Sequence, residues 1–335
     1  MAKVLVTGAS GFIASHTIIE LLNHGYSVRG TIRDPQRADA LHEVIARHTN
    51  HADKLTFATA SLTDPDSWQQ AAEGCEGIFH IASPVPVEQP ENADEIIIPA
   101  REGTLNVMRA AHKAGIQRVV LTSSVAAIMS NTKPEGEPQT AGDWTDLSLP
   151  RLTPYTQSKT HAEQAAWNAA AELGIELSTV NPALVVGPAL EADYGSSLEV
   201  LMKLMKGEFP MLPRLGFGLV DVRDVASLHR IAFESPAATG QRLIASNGFR
   251  WLVDIAQYLR DEYPNYKDKI PKREMPDFLA RLLALFDAAV ASFVDDLGKR
   301  KEFDINPALA LGWQPRTPEE GLKAGAQSLI ELGLV

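Results

Sequence analysis

The sequence predicts an α/β fold: a doubly wound parallel sheet with helices on both faces, followed by a smaller C-terminal lobe. Three observations predict it. Short apolar runs alternate with helix-patterned segments through the first half of the chain. The first run ends in a glycine turn that opens straight into a helix. After Gly187-Pro188 the regular alternation fades.

Residues 3–7 form a short apolar run ending in glycine, as a buried parallel strand does. Gly8-Ala9-Ser10-Gly11-Phe12-Ile13-Ala14 follows, then a helical pattern through Leu22 that Gly25 ends. Residues 27–32 read as a second strand, which completes the βαβ unit of a Rossmann-type dinucleotide fold. Residues 35–47 read as helix and 55–59 as strand, and Asp64 caps a helix holding Trp68 and Ala71. Residues 78–82 are a fourth strand. A long helix follows, with Leu105, Val107, Met108 and Ala111 on its core face, and 118–122 are a fifth strand. The stretch 131–153 is rich in Pro, Gly, Thr and acids and reads as a surface loop. Tyr155 opens an alanine-rich helix, and 177–180 form a sixth strand. Further on, helices are expected over 196–206, 225–233, 251–262, 277–290 and 317–332, with strands at 217–222 and 242–245. Residues 1–187 are thus expected to form the dinucleotide-binding domain. Residues 188–335 are mainly a substrate-binding lobe, with segments near 217–250 returning to the first domain.

The bulk composition narrows the function. The chain has 335 residues, 45% hydrophobic and 22% charged, as ordinary globular proteins do. A net charge of −11 argues against nucleic acid as the main partner, because phosphate backbones select basic surfaces. The single cysteine, Cys75, permits no internal disulfide and reads as a small semi-buried residue. No basic-then-apolar leader opens the chain, and charges break the apolar stretch 278–297 into an amphipathic helix rather than a membrane span. A cytoplasmic location is expected. The nine histidines show no metal-ligand spacing, so no metal is expected.

Chemistry is written in three places. Gly8, Gly11 and Ala14 follow the first strand directly; the glycines let a pyrophosphate approach backbone N–H groups, and the helix N-terminus faces the anion. At the end of the second strand stands Arg33-Asp34, with Arg37 one turn on. An arginine there suits the 2′-phosphate of NADP, whereas an acid suits the NAD ribose. Asp34, beside Pro35, reads equally as a helix cap, and Arg37 equally as a solvated helix residue. Finally, Tyr155 and Lys159 share a helix face, where an ammonium favours ionisation of the phenol and makes it a usable acid. Thr122-Ser123-Ser124 ends the fifth strand, where a serine can donate to a developing oxyanion.

Taken together, these motifs are specific. With His80-Ile81-Ala82-Ser83-Pro84, Gly103-Thr104-Leu105-Asn106, Asn181-Pro182, Val185, Gly187-Pro188, Val222-Arg223-Asp224-Val225-Ala226 and Leu311-Gly312-Trp313 added, the chain resembles the extended short-chain dehydrogenases/reductases over nearly its whole length. Within them it looks like the branch of dihydroflavonol reductases, cinnamoyl-CoA reductases and yeast-type carbonyl (methylglyoxal) reductases. The resemblance implies Ser124 as the catalytic serine rather than Ser123, Tyr155 as proton donor, and Lys159 as the residue that holds the nicotinamide ribose and lowers the tyrosine pKa. It implies cofactor contacts from Gly8, Ser10, Gly11, Phe12, Ile13, Arg33, Arg37, Ala82, Ser83, Pro182 and Val185. Two departures stand out. Ser61-Leu62 replaces the Asp-Leu pair that touches adenine in similar enzymes, which leaves Leu62 a backbone contact. The selecting asparagine of dihydroflavonol reductases is absent: 125–129 is apolar and the first amide is Asn131.

The implied function is an NADPH-dependent carbonyl reductase, reversible as an alcohol dehydrogenase, acting on an aryl or alkyl aldehyde or ketone. Val85, Ile128, Tyr194 and Phe217 are expected to line the substrate pocket, with Val87, Met205 and Phe286 as further candidates. Two other readings are a nucleotide-sugar epimerase or dehydratase using NAD, and a non-catalytic NADP-binding regulator. A monomer or a homodimer is compatible with the pattern, the latter through pairing of the helices near 93–114 and 155–173.

Overall fold

The computed structural model describes residues 2–335 apart from 85–89, 91, 135, 193, 194, 196, 287 and 292, and at 288 and 289 the backbone alone. The first six strands are β1 (Lys3–Val6), β2 (Ser27–Ile32), β3 (Leu55–Thr59), β4 (Gly77–His80), β5 (Arg118–Thr122) and β6 (Glu176–Pro182). Then come β7 (Leu184–Val186), β8 (Leu212–Pro213), β9 (Gly216–Asp221), β10 (Arg242–Ala245), β11 (Phe249–Trp251) and β12 (Glu274–Met275). The first half carries α1 (Phe12–Asn23), α2 (Ala38–Ala46), α3 (Pro65–Ala72), α4 (Asp94–Lys113) and α5 (Pro154–Leu173). The second half carries α6 (Glu199–Lys206), α7 (Val222–Glu234), α8 (Leu252–Glu262), α9 (Asp277–Leu283), α10 (Ala288–Ala291), α11 (Asn306–Ala310) and α12 (Pro318–Glu331).

One all-parallel sheet has the order β10-β6-β5-β4-β1-β2-β3. The chain runs outward from β1 to β3, then returns beside β1 with β4 and runs out the other way. The reversal between β1 and β4 is the switch point where doubly wound sheets hold their ligands. Strand residues alternate between two cores. Val4 and Val6 pack with Ile18, Leu22, Val225 and Leu228 under α1 and α7. Leu5 packs with Trp68, Val107, Met108 and Ala166 under α3, α4 and α5. Such near-continuous apolar strands form because both sheet faces are covered.

The second lobe has its own core, in which Leu201, Leu204, Leu219, Ile255, Leu259 and Leu329 join α6, α8, β9 and α12. A small sheet, β11-β9-β7, links this lobe to the strand that follows β6. One segment comes back: β10 completes the large sheet by pairing with β6 from Arg242↔Thr179 to Ala245↔Pro182. Two helix expectations are corrected. Residues 35–37 form a single 3-10 turn before α2, because Asp34 caps it by accepting from the Gln36 N–H at 2.9 Å. The helix expected over 277–290 is not continuous; α9 ends at Leu283. Only its Ala280 side packs inward, while Phe278 and Leu282 stay in solvent, so no long apolar face supports further turns. Among the described residues no helix is long and apolar enough to cross a membrane.

Candidate active site

The site begins where β1 ends. Thr7 Oγ1 accepts from the backbone N–H groups of Ile81 and Ala82, each at 2.9 Å. With both lone pairs used, it donates its proton to His80 Nδ1, 2.9 Å away. His80 is therefore neutral, and burial pushes its pKa down to about 3. The Gly8 N–H donates to Thr31 Oγ1 at 3.0 Å, tying the glycine turn to β2. Gly8 has a φ of +71°, and a Cβ there would sit 3.1 Å from the Cβ of Ala82. No side chain caps α1 at Gly11. The Gly8, Ala9 and Gly11 N–H groups are used within this tight turn, so the first-turn N–H groups of α1, electropositive at the helix start, are the donors that fit a dinucleotide pyrophosphate. Ser10, Phe12 and Ile13 are half-buried around it, as are Ala82 and Ser83 opposite.

The adenosine end is more open. Arg33 is exposed at the end of β2. Arg37 forms an ion pair with Glu191 at 2.8 and 3.0 Å, so a phosphate would have to compete with that carboxylate. The Leu62 carbonyl accepts from Asn106 Nδ2 at 3.0 Å, and a Cβ on Gly103 would come within 2.7 Å of the Leu62 side chain. Those two residues of the Gly103–Asn106 motif thus seat the turn after β3 against α4. The Ser61 hydroxyl is 3.2 Å from Thr63 Oγ1. Pro182 ends β6 in the interior, and the Val185 side chain is buried in the core, so only its backbone can reach a ligand.

Tyr155 and Lys159 rise from the first two turns of α5, whose start is fixed by Pro154 and by Thr153 Oγ1 accepting from the Thr156 N–H at 3.1 Å. Ser124 follows β5 and caps a 3-10 turn, Val125–Ala127, by accepting from the Ala126 N–H at 3.1 Å. Its side chain is hydrogen-bonded to that of Tyr155. The Lys159 ammonium lies 5.9 Å from the centre of the Tyr155 ring. Burial raises the Tyr155 pKa above its ordinary value, and the Ser124 hydrogen bond only partly opposes it. The lowering expected from Lys159 is thus corrected: the net direction is upward, set by burial, and the opposing effect comes from Ser124. Lys159 is itself lowered to about 8, by burial first and against the pull of the Glu163 carboxylate.

The two serines have different neighbours. Ser123 Oγ donates to Glu163 Oε2 at 2.5 Å in the interior, whereas Ser124 opens onto a cleft of about 360 Å³. Tyr155 shares the floor, and Met129, Leu215, Phe217, Phe293 and Phe303 give apolar walls, with Asp296, Lys299 and Lys301 at the rim. Of the residues expected in the pocket, Phe217 lines this cleft. Ile128 does not: it is fully buried among Val125, Ala183 and Ile244, because the 3-10 turn after Ser124 swings Met129 to the cleft instead. Met205 is buried in the second-lobe core, and Phe286 is 84% exposed on the surface. Val85, Val87 and Tyr194 lie outside the described residues. Sequence reasoning missed Phe293 and Phe303, which no motif marks, and Glu163, which reads as an ordinary helix position. It also missed Arg242, buried beside Glu163.

Comparison with known proteins agrees with this geometry. The model of the NAD dependent epimerase/dehydratase family matches residues 4–244. Tetraketide alpha-pyrone reductase 1 of Arabidopsis thaliana is 40% identical over 99% of this chain and 96% of its own. Cinnamoyl-CoA reductase 1 of the same plant is 37% identical over 78% of this chain and 75% of its own. The structure of yeast methylglyoxal/isovaleraldehyde reductase complexed with NADPH superposes with a TM-score of 0.81, at 26% identity, over 99% of this chain and 100% of that one. With the Tyr155/Lys159 helix, the Ser124 strand end and the glycine cradle all inside the matched span, the chain belongs to the NAD-dependent epimerase/dehydratase family of extended short-chain dehydrogenases/reductases.

Proposed function

We propose that the protein is an NADPH-dependent carbonyl reductase acting on aldehydes or ketones that carry aryl or alkyl groups. The observation that carries the reading is the hydrogen-bonded Ser124–Tyr155 pair on the floor of an apolar cleft, with Lys159 one helical turn behind. The relatives named above as reductases support it, as does the yeast structure complexed with NADPH. Gly8, Gly11 and the start of α1 would hold the pyrophosphate, and Arg33 the 2′-phosphate. When bound, the dinucleotide supplies the hydride.

The residues supply the rest. A carbonyl oxygen lodged between Ser124 Oγ and the Tyr155 hydroxyl accepts from both, and charge developing on it is stabilised by these donors. A phenol raised by burial is fully protonated at neutral pH, which is the state a proton donor needs. As it gives up that proton, the Lys159 ammonium stabilises the phenolate. Lys159 is still charged at pH 7, since its value of about 8 lies above it. The cleft walls exclude water and select apolar substituents. The test is NADPH oxidation with acetophenone, isovaleraldehyde and methylglyoxal, alongside NADPH binding by fluorescence. Tyr155→Phe is expected to lower turnover by about 10³-fold or more and leave NADPH affinity within a few-fold. Wild-type turnover in that variant would refute the assignment.

A further inference from the structure

We propose that Glu163, neutralised by Arg242, is the positioning residue of this site: its buried carboxylate fixes the backbone on both sides of Ser124 and the charge behind Lys159. The inference rests on Ser124, Tyr155 and Lys159 being the reacting groups. Glu163 is fully inaccessible to solvent, and Arg242 is only 8% exposed. Their contact is 2.6 Å, from Arg242 Nε to Glu163 Oε1. A buried ion pair seldom improves stability over apolar packing of the same volume, so its place in the fold asks for a reason beyond stability.

The hydrogen bonds supply one, because they converge on residues 123–127. Ser123 Oγ donates to Glu163 Oε2 at 2.5 Å, one residue before Ser124. Asn181 Nδ2 uses one proton on Glu163 Oε2 at 2.8 Å and the other on the Ser124 carbonyl at 3.2 Å. Trp167 Nε1 donates to Oε1 from the next turn of α5, at 3.2 Å. Arg242 turns its remaining N–H groups outward to the Ala141 and Asp143 carbonyls at 2.8 and 2.5 Å, and reaches the Ala127 carbonyl at 3.5 Å. Its guanidinium also lies 3.8 Å from the centre of the Trp144 ring. The 3-10 turn after Ser124 is therefore gripped from β6, α5 and β10 together.

The same carboxylate sits one helical turn beyond Lys159 and favours its charged form. The other groups facing Lys159 are Tyr155 on α5 and His80 on β4, which is neutral, with Arg242 behind Glu163. Among the described residues, removing the Glu163 charge leaves Lys159 and Arg242 facing each other with no anion between them, which pushes the Lys159 titration further down.

The full-length protein tests this, with NADPH and whichever panel carbonyl wild type turns over fastest. E163Q keeps the shape and loses the charge. Its kcat is expected to fall by about 10- to 100-fold, the cost of misplacing a reacting group. Its KM for NADPH should stay near wild type, and the basic limb of its kcat–pH profile should move to lower pH. S123A removes one bond only, so kcat should fall about 3- to 10-fold with the basic limb in place. R242K, which keeps charge but loses the fork, should also lower kcat without moving that limb. The inference is overturned if E163Q keeps kcat within twofold and its pH profile unmoved, or if kcat and NADPH affinity collapse together. Should E163Q fail to fold, wild-type kcat in both S123A and R242K overturns it. Tyr155→Phe run in parallel separates the two ideas. If it retains turnover, the reading of the reacting groups fails; if it is dead while E163Q is not, only the positioning role fails.

Discussion

The floor of the cleft is polar and closely wired, whereas its opposite wall is apolar and rests on a small group of side chains. Under the floor, Ser123, Asn181, Trp167 and Arg242 all donate to Glu163, and Ser124 is bonded to Tyr155. The wall residues Leu215 and Phe217 pack on Met275, Ala280, Val294 and Leu297, at the end of the lobe where α9 exposes Phe278 and Leu282. A buried hydrogen-bond network tolerates little displacement, because each unpaired group costs about 1–3 kcal/mol. Apolar contacts are non-directional and can be exchanged at roughly conserved volume. On the proposed function, the reacting geometry would be built into the part that resists change, and substrate selection into the part that accepts it.

Substitutions on either side sharpen that contrast. The largest effect after Tyr155→Phe belongs to Lys159→Met on the floor, where turnover should drop by about 10²-fold or more, for want of the charge that stabilises the phenolate. The same variant should melt at a higher temperature than wild type at pH 7. The sign follows from Lys159 being lowered from 10.5 to about 8 in the folded protein: its burial costs stability fully below pH 8, and the cost fades as pH rises toward 10.5. Calorimetry from pH 7 to 10 should show the gain shrinking; a constant or negative difference would count against it. On the wall, Phe217→Ala should raise KM for an aryl ketone by about 10-fold, the scale of a lost apolar contact of 1–3 kcal/mol, with KM for NADPH unchanged. An equal fall in kcat with no rise in KM would place Phe217 on the floor's side of the comparison. The smallest effect is expected at Phe278→Ser. This residue is 73% exposed, so stability should shift by no more than about 0.5 kcal/mol and turnover should not change.

The sheet was legible because its strands are buried on both faces and read as apolar runs punctuated by glycine. The motifs Gly8–Gly11, Ser124 and Tyr155–Lys159 were legible because local spacing decides where each side chain points. What escaped has a common physical cause. Glu163 and Arg242 are 79 residues apart in sequence, and each alone has the look of a solvated charge. Met129 rather than Ile128 faces the cleft because one 3-10 turn rotates the chain away from strand alternation. The direction of the Tyr155 pKa depends on desolvation, which only the assembled cleft defines.

The late return of β10 bears on how the chain is made. Until Arg242 has been synthesised, β6 is the last strand of the sheet, with one unpaired edge, and Glu163 lacks the guanidinium that pairs with it. At typical translation rates of 5–20 residues per second, the 79 residues between the two partners take about 4 to 16 s to appear. A nascent N-terminal half therefore waits with an open strand edge and a carboxylate in α5 without its ion-pair partner. Fragments that stop near residue 187 should be held by chaperones or aggregate, and should not ripen into a small autonomous reductase.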